Sequence, residues 1–161
     1  MQCCCYSSPL GEMILAAEGG AVIGLWFHGQ RYERAGLDEN APETDESAVL
    51  SAACLWLDAY FAGKRPAITS VPLDARGSDF QKLVWEKLIQ IPYGETTTYG
   101  AIAKSISPEM SAQAVGGAVG HNPVSIIIPC HRVVGADGSL TGYAGGVEIK
   151  RKLLMFEKSC Y

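Results

Sequence analysis

The chain is poor in charge, and the little charge it has leans acidic. Only 19% of its 161 residues are charged and the formal net charge is -4, so the composition gives no hint of nucleic-acid binding. No apolar run reaches the roughly 20 residues of a membrane-spanning helix, and no basic-then-apolar signal segment begins the chain. With 48% hydrophobic residues the chain is not disordered. We expect a folded protein in the cytoplasm, or in the nucleus if the source is a eukaryote.

Regular cysteine spacings are also absent. Three of the 6 cysteines are consecutive, Cys3 to Cys5, and Cys160 lies near the end of the chain, so no disulfide framework is expected. The chain has no CxxC or HxxxH spacing, which does not favour the alternative of a zinc site formed by these cysteines and His28. We therefore expect reduced thiols and neither a metal nor another cofactor.

The two halves of the chain differ in charge and in pattern. Residues 1–76 hold five Lys or Arg against ten Asp or Glu, a net of -5, whereas residues 77–161 hold eight against seven, a net of +1. Strand-like patterns dominate the first half and helical patterns the second. These differences predict an α+β protein with an N-terminal sheet-plus-helix domain (1–76) and a C-terminal, mostly helical domain (77–161).

The N-terminal half predicts a small antiparallel sheet covered by one helix. Short apolar or alternating segments are separated by the turn sequences Ser-Pro-Leu-Gly and Gly-Gly, a pattern typical of strands joined by hairpins. A longer segment has apolar residues at helical spacing. The predicted elements are strands at 3–8, 13–17, 21–27 and 68–73, a loop at 30–46 and a helix at 47–61.

The C-terminal half predicts four helices, two of which form a helix-turn-helix. Ser78 and Gln81 form a capping-box pattern before an amphipathic segment, which residues 92–94 end. A short polar turn then joins two short helices, as in a helix-turn-helix. The predicted helices begin at about residues 78, 98, 111 and 147, and the last three end at about 106, 120 and 158.

Cys130 and His131 form the most informative pair in the sequence. They follow an apolar run, residues 125–128, which predicts a buried strand that ends at Pro129. A cysteine thiolate is a nucleophile, and a neighbouring imidazole can lower the pKa of the thiol. The pair alone is equally compatible with an inert buried cysteine beside a histidine. The flanking motifs decide between these interpretations.

The C-terminal half resembles the O6-alkylguanine-DNA alkyltransferases, also called methylated-DNA–protein-cysteine methyltransferases. The matching motifs occur in the order and spacing of that family, at residues 92–96, 99–103, 114–116, 122–123, 128–133 and 141–146. The resemblance implies an N-terminal antiparallel-sheet domain of the RNase H-like kind. It also implies a winged-helix-like second domain that contains the helix-turn-helix.

The resemblance implies a DNA repair function. The protein would transfer the alkyl group of O6-alkylguanine, and of O4-alkylthymine, in double-stranded DNA irreversibly to its own Cys130. The damaged nucleotide would first flip out through the minor groove, and each molecule would react once. The resemblance implies a monomer that needs no cofactor, no metal, no membrane and no obligate protein partner.

The resemblance also implies roles for individual residues. Cys130, a water, His131 and Glu157 would form a proton relay, with Asn122 tying the preceding turn to it. The implied base pocket consists of Tyr99, Pro129, Val133, Tyr143, Ala144 and Gly145, and the implied DNA-contacting residues are Ala112, Gln113, Ala114, Val115 and Gly116.

The sequence pattern by itself leaves other interpretations open for these residues. Glu157 could be an exposed rim residue, Asn122 a helix C-cap and Tyr99 a core aromatic residue. The small residues near 112–119 could serve tight helix packing. Arg132 has the side chain for a phosphate contact, but in the family it pins the domain interface, so it is not counted as catalytic.

The chain departs from the family at Gln113, where an Arg usually replaces the extruded base in the stack. Glutamine lacks the planar cation, so we expect slower or weaker repair. Two other functions remain: a Cys-His hydrolase, which would turn over, and a non-catalytic protein that binds alkylated DNA.

Overall fold

The computed structural model of the chain describes residues 1–44 and 46–159, which form two compact units. Among these residues, the first unit contains 1–76 and 123–127, and the second contains 77–122 and 128–159. The sequence prediction counted 123–127 with the second domain, whereas the structure assigns this segment to the first unit. Within the described residues, no helix is long and apolar enough to cross a membrane. Cys160 lies outside the described residues.

The first unit is a three-stranded antiparallel sheet with one long helix. The strands are β1 (Gln2–Ser8), β2 (Gly11–Glu18) and β3 (Ala21–Phe27), in the order β1-β2-β3. Helix α1 (Ala48–Phe61) begins at Ser47, whose hydroxyl accepts the backbone N–H of Leu50. The three strands and the helix are confirmed as predicted.

The predicted strand at 68–73 is wrong. Residues Ile68–Ser70 form a turn of 3-10 helix, and only Leu73 forms a bridge, with Val22. Val22 donates to the carbonyl of Pro72 and accepts from the N–H of Asp74. Proline has no N–H to donate, so the contact does not continue as a ladder of backbone hydrogen bonds.

The apolar run before Cys130 is buried but is not a strand. Leu25 donates to the carbonyl of Pro123 and accepts from the N–H of Ser125, which makes one bridge to β3. The chain then bends, because Ile126 has φ 69° and Ile127 donates to the carbonyl of Ser125 over 2.8 Å, as in a γ-turn. Apolar composition reports burial correctly, but it cannot distinguish an extended segment from a buried turn.

The second unit contains the remaining helices, and its helix-turn-helix is confirmed. Side chains cap three of its helices: Ser78 and Gln81 form the predicted capping box, and Thr98 and Ser111 cap the two helices of the motif. Two short strands pair in parallel. The elements are α2 (Asp79–Ile89), β4 (Thr97–Thr98), α3 (Tyr99–Ile106), α4 (Ala112–Gly120), β5 (Val133–Val134) and α5 (Val147–Ser159).

Candidate active site

Cys130 begins a turn of 3-10 helix, Cys130–Arg132, that leads into β5. Its N–H donates to the carbonyl of Ile128 over 2.8 Å, and Pro129 between them has φ -80° and ψ 62°, the geometry of an inverse γ-turn. The side-chain amide of Asn122 donates to the same Ile128 carbonyl over 2.9 Å. Two hydrogen bonds, one of them from Asn122, therefore hold the backbone that presents the thiol.

The pairing of β4 with β5 brings the start of α3 to the Cys130 turn. Thr97 pairs with Val133 and Thr98 with Val134, so Tyr99 follows directly beside the strand that Cys130 leads into. Burial and the nearby Cys130 raise the pKa of the Tyr99 hydroxyl. Two very short strands thus bring Tyr99, which was predicted as a pocket residue, near Cys130.

His131 and Glu157 form a buried pair, with His131 Nε2 2.5 Å from Glu157 Oε2. A carboxylate only accepts hydrogen bonds, so Nε2 carries the hydrogen and Nδ1 carries the free lone pair. Nδ1 is buried and has no hydrogen-bond partner among the described residues. Burial lowers the pKa of His131 despite the opposing effect of Glu157, so the imidazole is neutral. His131 therefore has the form of a general base.

Glu157 is held by more than the histidine. Arg132 donates from Nε to Oε1 over 2.8 Å and from its terminal nitrogen to Oε2 over 3.2 Å, and the N–H of Gly94 donates to Oε1. Burial alone would raise the pKa of Glu157, but the hydrogen bonds from His131 and Arg132 outweigh it and hold that pKa well below its usual range. Glu157 is 1% exposed, which excludes the rim interpretation.

Arg132 is a structural partner of the site. Its third nitrogen donates to the carbonyl of Ile91 over 2.7 Å, and the whole residue is 6% exposed. Its hydrogen bonds to Glu157 and Ile91 occupy the guanidinium, so it does not offer a surface cation for phosphate. The sequence left it out of the catalytic set but did not predict that it holds Glu157.

Lys150 is a site residue that the sequence analysis missed. It is completely buried, and its Nζ donates to the carbonyl of Thr141 over 3.0 Å and contacts the hydroxyl of Tyr99 at 3.4 Å. Burial lowers its pKa to about 8, against the opposing effect of the Cys130 thiol. Spacing carried a signal, because Lys150 and Glu157 flank Leu153 at i-3 and i+4 on the buried face of α5.

The thiol of Cys130 is protonated at rest. Burial raises its pKa to about 11, although the side chain of Asn122 and the charge of Lys150 act to lower it. The residue is only 4% exposed. A thiol of this kind needs a base at the moment of reaction, and His131 is the adjacent candidate.

The residues of the implied base pocket differ in how far they are buried. Pro129 and Val133 are buried, Tyr143 is 8% exposed, and Ala144 and Gly145 are half-buried. Tyr99 is half-buried and its hydroxyl donates to the carbonyl of Thr141 over 2.7 Å. Tyr99 is therefore neither a fully buried core residue nor free in this state.

The implied DNA-contacting residues on α4 do not all face outward. Ala112, Gln113 and Ala114 are exposed and Gly116 is half-buried, but Val115 is fully buried and packs inward. Packing does not require the two glycines. An added Cβ would lie 3.8 Å from the Tyr99 ring at Gly116 and would meet nothing within 4 Å at Gly117. Packing against the other described residues therefore does not explain why the exposed face of α4 consists of small residues.

The described part of the chain holds no group of three or more His, Cys, Asp or Glu side chains that could bind a metal ion. His28 Nδ1 lies 3.1 Å from Glu33 Oε1. Cys3 and Cys4 are buried, and Cys5 is exposed.

A buried cysteine and a buried His-Glu pair lie in the unit that contains the helix-turn-helix. This combination indicates a DNA-binding type of protein with a candidate cysteine nucleophile. Residues 79–159 match the 6-O-methylguanine DNA methyltransferase, DNA binding domain, and residues 1–75 match the ribonuclease-like domain of the same family. The chain therefore belongs to the 6-O-methylguanine DNA methyltransferase family, and the predicted family and fold are confirmed.

Relatives match over nearly the whole chain. The methylated-DNA–protein-cysteine methyltransferase of Mycobacterium tuberculosis is 48% identical over 152 residues, covering 94% of this chain and 89% of that protein. The protein of that name from Haemophilus influenzae is 40% identical over 156 residues, covering 97% and 86%. The crystal structure of Mycobacterium tuberculosis OGT in complex with DNA has a TM-score of 0.89 at 44% identity, covering 99% and 94%.

Proposed function

We propose that Cys130 accepts the alkyl group of O6-alkylguanine, and of O4-alkylthymine, in double-stranded DNA, once per protein molecule. The observation that carries this proposal is the buried His131–Glu157 pair, which leaves Nδ1 as a neutral base on the residue that directly follows Cys130 in the chain. The names of the relatives and the DNA complex of one of them support DNA as the partner.

The transfer begins with the thiol proton. It passes through a bridging water to His131 Nδ1, and the ionised Glu157 stabilises the imidazolium that forms. The sulfur of Cys130 then attacks the alkyl carbon in line as the bond from that carbon to O6 breaks. The electron pair of the broken bond stays on the guanine. The thioether cannot be hydrolysed, so the protein is consumed.

The pocket stabilises the departing guanine. Tyr99 contacts the flipped base, and the backbone N–H groups of Tyr143 to Gly145 donate to O6 as negative charge develops. Pro129 and Val133 line the apolar wall. Since Cys130 is 4% exposed, the pocket must open to admit a base.

The DNA interface lies on α4. Ala112, Ala114 and Gly116 approach the minor groove, while the buried Val115 supports the helix from inside. Gln113 takes the place of the base that flips out, and it can hydrogen-bond the orphaned partner.

The whole reaction uses groups of one chain. We therefore infer a monomer that acts without a metal, cofactor or obligate protein partner. Because its proposed substrate is DNA, we also infer that it acts in the cytoplasm or, in a eukaryote, the nucleus.

Mass spectrometry of the protein mixed with a short duplex that carries one O6-methylguanine tests the proposal. We expect one added methyl group on the Cys130 peptide, saturating at one per protein. Cys130→Ala should abolish it, whereas Cys54→Ala, which removes a half-buried thiol from α1, should not.

Two outcomes would contradict the proposal. Tight binding of the modified duplex without any gain in mass would indicate a non-catalytic damage-binding protein. Neither binding nor a mass gain, together with repeated ester or peptide cleavage, would indicate a Cys-His hydrolase.

A further inference from the structure

Lys150 is a buried cation that the chemistry above does not use. Its side chain is completely buried, yet no carboxylate lies within ion-pair distance of it anywhere in residues 1–44 and 46–159. Burying an ammonium group without an opposite charge is unfavourable, and replacing it by an apolar side chain would be the simpler way to fill the core. The hydrogen bonds of Lys150 indicate a role that would explain its burial.

Lys150 and Tyr99 share one acceptor. The carbonyl of Thr141 accepts from the Tyr99 hydroxyl over 2.7 Å and from Lys150 Nζ over 3.0 Å, and the two donors are 3.4 Å apart. Thr141 opens the 141–146 loop, which precedes α5. The next residue, Gly142, packs so closely that a Cβ there would lie 3.2 Å from the Tyr99 hydroxyl. The shared carbonyl therefore fastens the loop to α3.

The two donors differ in how many hydrogen bonds they can donate. A phenol has one hydrogen to donate, so Tyr99 must leave the Thr141 carbonyl before it can donate to a base in the pocket. An ammonium has three hydrogens and can keep the carbonyl bonded throughout. Without Lys150 the exchange would leave the Thr141 carbonyl without either of these two side-chain donors.

We propose that Lys150 is a positioning residue that keeps the Thr141 carbonyl, and with it the 141–146 loop, fastened to the site while the Tyr99 hydroxyl turns to the substrate. The use of Tyr99 by substrate rests on the proposed function. The hold on the loop does not, because it is a property of the free protein.

The charge of Lys150 strengthens this hold, which gives it a pH dependence. The titratable groups around the amine are Tyr99 on α3 and Cys130 and His131 on the 130–132 turn, and their pKa values are raised, raised and lowered respectively. Glu148 and Arg151, on the same helix, pair with each other at the surface. The pKa of Lys150 is about 8, so the ammonium becomes a weaker, neutral donor above that pH.

Amide hydrogen exchange of the free protein tests the proposal. We compare Lys150→Met, which has no donor, and Lys150→Gln, which has a neutral donor, with Lys152→Met, an exposed control on the same helix. The Gly146 N–H, bonded to the carbonyl of Tyr143, reports on the loop. Lys150→Met should lower its protection factor about tenfold or more, Lys150→Gln less, and Lys152→Met not at all.

The pH series separates the charge from the donor. The loop protection factor of the unmodified protein should fall between pH 7 and pH 9, and that of Lys150→Gln should not.

A double variant tests whether the two donors share the carbonyl. Adding Tyr99→Phe to Lys150→Met should lower the loop protection factor by more than the product of the two single effects, because in each single variant the remaining donor still bonds the carbonyl.

Three results would overturn the proposal: unchanged loop protection in Lys150→Met, an equal loss of protection in α2 and α3, or a loss in the double variant that equals the product of the two single losses.

The rate of methyl transfer from the duplex adds an independent measure, and it should fall in Lys150→Met and recover partly in Lys150→Gln. Absence of transfer in the unmodified protein, with the exchange results as expected, would refute the proposed function and leave the role of Lys150 in the loop intact.

Discussion

Glu157 is the residue on which the polar groups of the site converge. His131, Arg132 and the backbone of Gly94 all donate to its carboxylate, and the first two side chains are themselves buried. Such an arrangement orients the imidazole and fixes which ring nitrogen carries the hydrogen. Removing the negative charge would leave the guanidinium of Arg132 buried without its counter-charge.

Glu157→Gln should therefore reduce the rate of methyl transfer about 100-fold or more, the range of a lost general base, and should also destabilise the fold by about 3–5 kcal/mol. The measurement is the single-turnover rate on the modified duplex, at a temperature where circular dichroism shows the variant folded. Glu148→Gln, an exposed change on the same helix, serves as the control and should keep the full rate.

The pH dependence of transfer follows from His131. The pKa of this residue lies below its ordinary value of 6.5, so the neutral base is present at pH 7 and is lost only at pH values below 6.5. If His131 takes the thiol proton within the site, the rate constant changes little between pH 7 and 7.5 and falls in solutions more acidic than pH 6.5. A tenfold rise per pH unit across that range would instead mean that the thiol, with its pKa of about 11, must ionise to solvent first.

At the scale of the secondary-structure elements, the outward face of α4 carries small residues that packing against the described residues does not require. Ala112 and Ala114 are exposed, and the space at Gly117 would admit a larger side chain. Glycine in a helix costs about 1 kcal/mol relative to alanine, so its presence here requires another reason. In the proposed function, a flat helix face lets the DNA backbone approach closely, and this would supply the reason. Gln113 is then the longest exposed side chain at the start of α4.

Gln113→Arg should raise the second-order rate of methyl transfer on duplex DNA, because a planar cation fills the place of the flipped base better than an amide. Gln90→Arg adds the same charge at the exposed end of α2 and controls for simple attraction to DNA. The interpretation of Gln113 fails if its arginine variant is no faster than the unmodified protein, or only as fast as the Gln90 control.

At the scale of the whole molecule, charge limits how strongly DNA can be held. The net charge is -4, and within residues 99–120 the only charged side chains are Lys104 and Glu109. Two further cations of the second half, Arg132 and Lys150, are buried. If the contacts are made by α3 and α4, few phosphates can therefore be neutralised.

We expect a shallow dependence of DNA affinity on salt. Each neutralised phosphate contributes a slope of about -0.9 in a plot of log K against log salt, so a total of about -1 to -3 is predicted. Equilibrium titrations of an unmodified duplex measure this slope. They should cover about 50 to 200 mM salt. A slope steeper than about -5 would mean that cations outside α3 and α4 carry the binding.

Much of the fold follows from local pattern. Serine and threonine caps such as Ser78 and Thr98 mark helix starts, because their oxygens satisfy backbone N–H groups that the helix leaves free. The failures at 68–73 and 125–128 have one cause. Each segment is rich in apolar residues, but only Leu73 in the first and Val124, just before the second, form a bridge to the sheet, and composition does not reveal where a chain stops being extended.

The sequence by itself determined the helices, the three strands of the first unit, the family motifs and the Cys130-His131 pair, because these depend on neighbouring residues and on their order. The tertiary structure decided which polar groups meet. Glu157 lies 26 residues from His131, and Lys150 lies 51 residues from Tyr99, yet both pairs are in contact. The same packing raises the pKa of Cys130 and lowers that of His131, since burial penalises the charged form of either group. Desolvation is a property of the packed interior, and a linear sequence does not contain it.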